Sequence, residues 1–310
     1  MKPWDIVLPI RYETGSYEKG QMQGMSHTFR YSTDAHSKGA LSWVAATTFN
    51  ALVDAYTFSV NRGLPAPAQG INIWLSSNIT VNAATPMLRR VAATSNVSKA
   101  LDLLLIGNPQ VLAIKKVIQR QLPDITCRYG SGSNAPRGSA SLNATFYHEL
   151  GHTQHYNQVG NNFWTAYIAY VLTYGNSNNP YGQKTDPGAS RIALSEAWGN
   201  YTERLFLNDK YQGTSRANIA AIAINELENQ VPADNPSEQW IVYGLLHDMT
   251  DVGETVPTVV DNVNAFSPAT VFRGLQPQAT SVREYEDVIR VQNNSLQAFQ
   301  MGQLVTSYRW

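Results

Sequence analysis

The sequence predicts an α+β fold in which a small mixed α/β half precedes a mainly helical half. Three observations predict it. Short strand-like apolar segments, "INIWL" and "DITCRY", occur only before residue 130. Beyond residue 140 the apolar residues recur at helical spacing. Between these regions lies "FYHELGHTQHYNQVG", which carries three histidines and one glutamate inside the eight residues from His148 to His155. The expected subdomains are therefore 1–160, ending in the histidine helix, and 161–310, mainly helical, with a ligand-favouring seam at their junction.

Taken in order, "MSHTFRYST" alternates enough to be a strand. Residues 40–62 form a helix that ends at Gly63. "INIWLSSNITV" is a buried strand with its continuation. A second helical stretch spans "SKALDLLLIGNPQVLAIKKVIQRQL" and breaks near Gly107 and Pro109. "DITCRY" is a short strand, and "GSGSNAPRGSAS" a rim loop. That loop lacks the Gly-Lys-Ser/Thr ending of a phosphate-binding loop. Ser141 is the expected N-cap of the histidine helix, which should run to about Gly160. Helices follow in "FWTAYIAYVLTYG", "RIALSEAWGNYTERLFL", "RANIAAIAINELENQ" and "EQWIVYGLLHDMTD". Two further helices, the last of the chain, should start at Ser267-Pro268 and at Thr280.

Composition narrows the function classes. Net charge is zero, with 23 basic and 23 acidic residues, and no block of like charge occurs. Nucleic acid and anionic membranes are therefore not natural partners. Charged residues reach only 15%, against roughly 25% in ordinary domains. The uncharged polar surface this leaves suits a secreted or cell-surface protein whose targeting segment has been removed. No apolar run approaches the roughly 18 residues of a spanning helix. The single cysteine, Cys127, excludes a disulfide framework and a cysteine zinc site, and is expected to be a buried small hydrophobe.

On a helix, residues four apart share a face, so His148 and His152 can aim their nitrogens at one point. This is the His148-Glu149-x-x-His152 spacing. Zinc held by such nitrogens keeps a position for water and lowers its pKa towards about 7. The neighbouring Glu149 can take the proton. His155 lies about 10 Å beyond His148 along the axis, too far for bonds of about 2 Å to the same ion; it is expected behind the ligands or in a cleft wall. The third ligand must come from elsewhere. In "ALSEAWGNYTERLF", Glu196 sits among Ala193, Leu194, Ala197 and Trp198, where a bare carboxylate is costly and a metal relieves it. Glu203, followed by Arg204, reads as a solvated charge. Asn200 is placed to accept a hydrogen bond from a ligand imidazole.

Two histidines and a glutamate on a later helix resemble the gluzincins, a family of zinc metallopeptidases. "HELGHTQ" is also similar to the mucin-directed, enhancin-like peptidases, whose glutamine falls at position 155 whereas here Gln154 is one place earlier. The resemblance implies a zincin-like fold and Zn2+ held by His148, His152 and Glu196. It implies Glu149 as general base in peptide-bond hydrolysis of a protein or peptide substrate. It further implies a Tyr or His donor for the oxyanion, for which Tyr243 and His247 offer themselves, although both read first as ordinary amphipathic-helix residues. The alternative is a non-catalytic surface binding or adhesion module that retains the same fold, using its Tyr, Trp and Asn as a binding face.

Overall fold

A computed structural model of the chain describes residues 31–77, 83–84, 87–94, 123–130, 135–176, 179–230, 240–251, 253, 256–264 and 266–310. The described residues are mostly helical, with one small sheet. Helix α1 (Lys38–Asn61) starts at Ser37, whose hydroxyl accepts from the Ala40 amide. Strands β1 (Ile73–Ser76), β2 (Ala83–Ala84) and β3 (Ile125–Arg128) and helix α2 (Leu88–Thr94) follow. The sheet order is β1-β3-β2. β1 runs parallel to β3, with Ile73 opposite Ile125, and β2 antiparallel, with Ala83 opposite Cys127. Burial alternates along β3, so Ile125 and Cys127 face the core as a period of two requires. Cys127 is buried and free, as its setting in the sequence implied. The strand expected over residues 25–33 falls mostly outside the described residues, and residues 31–33 form no strand. The helix expected across residues 98–122 lies outside them too.

Helix α3 (Ser139–Tyr174) carries the histidine motif and bends at Gly160, whose φ of 75° and ψ of −173° leave the helical region. Gly160 adopts that conformation without the Cβ penalty other residues meet. The first segment therefore ends where the sequence placed its end, and a second, aromatic-rich segment follows. Its start differs from expectation. Gly138, not Ser141, holds the N-cap position, because the Ser141 hydroxyl instead accepts from Arg137 at 2.7 Å. α4 (Ala189–Tyr211) and α5 (Ala217–Glu228) match the expected helices.

α6 (Tyr243–Asp248) is shorter than the 14-residue pattern in which it lies. The Gln230 side chain explains the truncation. It donates to the Ile241 carbonyl and accepts from the Gly244 amide at 2.5 Å, taking groups a longer helix would pair internally. α7 (Pro268–Gly274) starts at Ser267-Pro268 as expected, with the Ser267 hydroxyl accepting from the Thr270 amide. α8 (Val282–Gln292) is capped by Ser281, one residue past Thr280. Thr280 still contributes, donating to Glu284 from both its amide and its hydroxyl. α9 (Ala298–Ser307) was not anticipated. It begins at Gln297 in the left-handed region, so no capping pattern announces it, but Met301, Leu304 and Val305 bury a helical face. Among the described residues no helix is long and apolar enough to cross a membrane.

The histidine segment of α3 is pinned from behind. Gln154 donates to the Ser59 hydroxyl at 2.8 Å and to the Pro65 carbonyl at 2.7 Å. The Ala68 amide donates to Thr153 at 3.0 Å, and Tyr147 donates to Asp54 at 3.0 Å. Gln154, the residue nearest to the glutamine of the enhancin-like motif, is thus a strut to α1. The opposite face of the segment meets α4.

Candidate metal centre

α3 and α4 cross closely because glycines face each other's side chains. A Cβ built on Gly151 would lie 2.2 Å from the Thr202 hydroxyl. One built on Gly199 would lie 2.9 Å from the Cε1 and Nε2 atoms of His148 and 3.0 Å from Cε1 of His152. Gly199 therefore lets the histidine face of α3 press directly against α4. Into that contact α4 inserts Glu196, one turn before Gly199.

The result is a three-residue cluster. Nε2 of His148 lies 3.0 Å from Nε2 of His152. The Glu196 carboxylate lies 3.2 Å from the first nitrogen and 3.3 Å from the second. Donors bonded at about 2.0–2.2 Å to a tetrahedral zinc ion lie roughly 3.3–3.6 Å apart. The trio thus needs only tenths of an ångström of relaxation to hold such an ion. His152 and Glu196 are each 1% exposed. Solvent reaches the site past His148, whose side chain is 13% exposed. Glu149, next along the helix, is buried, and its Oε2 has no hydrogen-bond partner among the described residues. A buried carboxylate oxygen without a partner is costly unless water, an ion or a ligand completes it.

The charges of these groups are strongly coupled. Burial opposes charge on Glu196, but the two imidazoles outweigh it and hold its carboxyl well below the usual range. Burial likewise opposes charge on His148, and hydrogen bonds to Glu196 and Glu203 overcome it, raising that imidazole well above its ordinary value. For Glu149 burial wins over the pull of His152 and His148, so its carboxyl is raised.

Three neighbours complete the site. Glu203, expected as a solvated charge, places Oε2 3.5 Å from Nδ1 of His148. It lies two turns beyond Glu196 on the same face of α4, which turns it inward; Arg204 flanks it at 3.6 Å. This carboxylate, not Asn200, is the partner of the second nitrogen of the His148 imidazole. Asn200 donates to the Glu196 carbonyl and accepts from Arg204. Tyr167, from the second segment of α3, donates to Glu196 Oε1. Tyr181, in the loop before α4, lies close enough to Glu196, Glu149 and Glu203 for these carboxylates to add to burial in pushing its phenol up. The spacing of Glu203 from Glu196 was a readable signal that the adjacent arginine obscured. Tyr167 and Tyr181 had none, since the bend at Gly160 and an irregular loop place them. Glu203→Ala is expected to weaken zinc binding by about 10- to 100-fold, the usual effect of removing such a partner; competition against a chelating dye reads it.

The remaining candidates lie elsewhere. His155 is buried behind the cluster against Phe163 and Trp164, ring centroids 4.9 and 5.7 Å away, and burial lowers its imidazole to about 3. Tyr243 stacks under the Arg204 guanidinium at 4.5 Å. His247 turns to Glu228 and Asp251. Compared with protein-family models, curated proteins and solved structures, the chain gives no match. What the site can do has to be read from its own residues.

Proposed function

We propose that the chain is a zinc-dependent metallopeptidase of gluzincin type, working outside the cytoplasm. One observation carries this: the nitrogens of His148 and His152 and the Glu196 carboxylate converge at 3.0 to 3.3 Å beside the unpartnered Glu149 oxygen. The preference for peptide bonds rests on the resemblance of the His148-to-His152 motif and its glutamate helix to that family. Zinc held by His148, His152 and Glu196 would supply Lewis acidity, which would acidify a water towards a pKa of about 7 and polarise a carbonyl. Glu149 takes a proton from the attacking water at its free Oε2 and returns it to the leaving amine. Glu203 orients His148 through Nδ1, and Tyr167 fixes the Glu196 carboxylate. Tyr181, close to these carboxylates, offers its hydroxyl as the donor to the developing oxyanion, the role the resemblance also offers to Tyr243 or His247.

A peptide-library digest with parallel metal analysis tests the reading. Zinc near one ion per chain with cleavage that a chelator abolishes supports it. Bound zinc without cleavage of any peptide favours the adhesion module. Tyr181→Phe is expected to lower kcat about 10²-fold with KM nearly unchanged, since its hydroxyl acts in the transition state. An unchanged kcat removes Tyr181 from the role.

A further inference from the structure

A second convergence of metal-binding groups lies away from the first. Glu228 is the last residue of α5, His247 lies in α6, and Asp251 lies in the turn that leaves α6. Nε2 of His247 is 2.9 Å from Glu228 Oε1 and 3.9 Å from Asp251 Oδ2. One donor atom from each of the three falls within 4.8 Å of the others. Opposite donors of an ion with bonds of about 2.1–2.4 Å lie about 4.2–4.8 Å apart, so one cation spans the set.

Two features distinguish the cluster from a chance gathering of surface acids. His247 is 8% exposed and aims its nitrogen into the cluster; its only other ring nitrogen, Nδ1, is buried without a hydrogen-bond partner. The carboxylates also crowd one another, with Glu228 and Asp261 both pressing like charge on Asp251. Glu228 adds to this as the terminal residue of α5, which has no basic residue in its last turn. The C-terminal end of a helix carries partial negative charge, so a carboxylate there is unfavourable until a cation arrives.

We propose that Glu228, His247 and Asp251 form a second divalent-cation site, structural in role, with Asp261 completing its negative surround. One imidazole with carboxylates suits a borderline ion such as Zn2+ over Ca2+. The ion clamps the end of α5 to α6 and its exit turn, and it does so whether or not the first centre is catalytic.

The test compares the parent chain with Glu228→Gln/Asp251→Asn after equilibrium dialysis against micromolar Zn2+. The parent is expected to hold one more ion per chain than the variant. Zinc is also expected to raise the Tm of the parent more than that of the variant. Without metal the variant should be at least as stable as the parent, because the substitutions relieve like-charge crowding. Equal zinc content and equal zinc-induced Tm shifts overturn the proposal. Asp251→Asn alone, at a half-buried position, carries the same comparison if the double variant does not fold. In His148→Gln/His152→Gln, retention of one zinc assigns that ion to the second site, and a folded chain that binds none overturns the proposal.

Discussion

Glu149→Gln is expected to leave zinc bound and to lower turnover by about 10²–10⁴-fold, the span attributed to a positioned general base. The substitution keeps the shape of the side chain and removes only its ability to take a proton. Glu149 is 4% exposed and has one buried oxygen without a partner. Its amide replacement therefore fits the same space, and His148, His152 and Glu196 are not disturbed. Parallel measurements of metal content and peptide hydrolysis separate the outcomes. Lost zinc would make Glu149 a structural support of the ligands. Undiminished turnover would remove it from proton transfer and remove the proposed mechanism with it.

Gly199→Val is expected to damage binding and stability together. A Cβ at this position would already meet the His148 ring at 2.9 Å, closer than such contacts come, and the His152 ring at 3.0 Å, at the limit of them. Branching adds two methyl groups to the same space. Either α4 retreats from α3 or both imidazoles rotate away from Glu196. We expect a stability loss of about 3 kcal/mol by denaturant unfolding, at the upper end of overpacking effects. Zinc affinity should fall at least about 10²-fold, since misplacing two ligands costs more than removing one outer partner. Gly199→Ala should show a milder form of both. A valine variant that binds zinc as tightly as the parent would mean that the close crossing of α3 and α4 does not hold the ligands in place.

What could be read from the sequence was what helical periodicity controls. His148 and His152 share a face because they are four apart, and Glu149 follows from the same helix. Glu196 was readable because a carboxylate among Ala193, Leu194, Ala197 and Trp198 needs a partner wherever the helix packs. Features that depend on how two helices meet were hidden. Glu203 and Glu196 share a face, but which face of α4 turns inward is decided by Gly199 and Thr202 against Gly151. Tyr167 reaches Glu196 only because the chain turns at Gly160. Ser141 looked like a cap, and Arg137 took its hydroxyl. Residues 240–242 of "EQWIVYGLLHDMTD" do not coil, since Gln230, a residue outside the pattern, replaces helical hydrogen bonds there with its side chain. Two strands of the small sheet were legible from "INIWL" and "DITCRY", since strand alternation is local, whereas β2 and α9 had no signal.

The Gly160 bend has a consequence for how the centre is built. By sending the second half of α3 back towards the first, it lets Trp164 and Tyr167 pack 5.4 and 6.4 Å from the His152 ring. All the groups named at the candidate site, from His148 to Glu203, belong to α3, α4 and the loop between them. His148 and Glu196 are 48 residues apart, so bringing them together closes a long loop, whose entropic cost grows only slowly with length. The geometry of the centre therefore rests on how α3 and α4 pack on each other, and α1 bears on it from behind, through Tyr147 and Gln154.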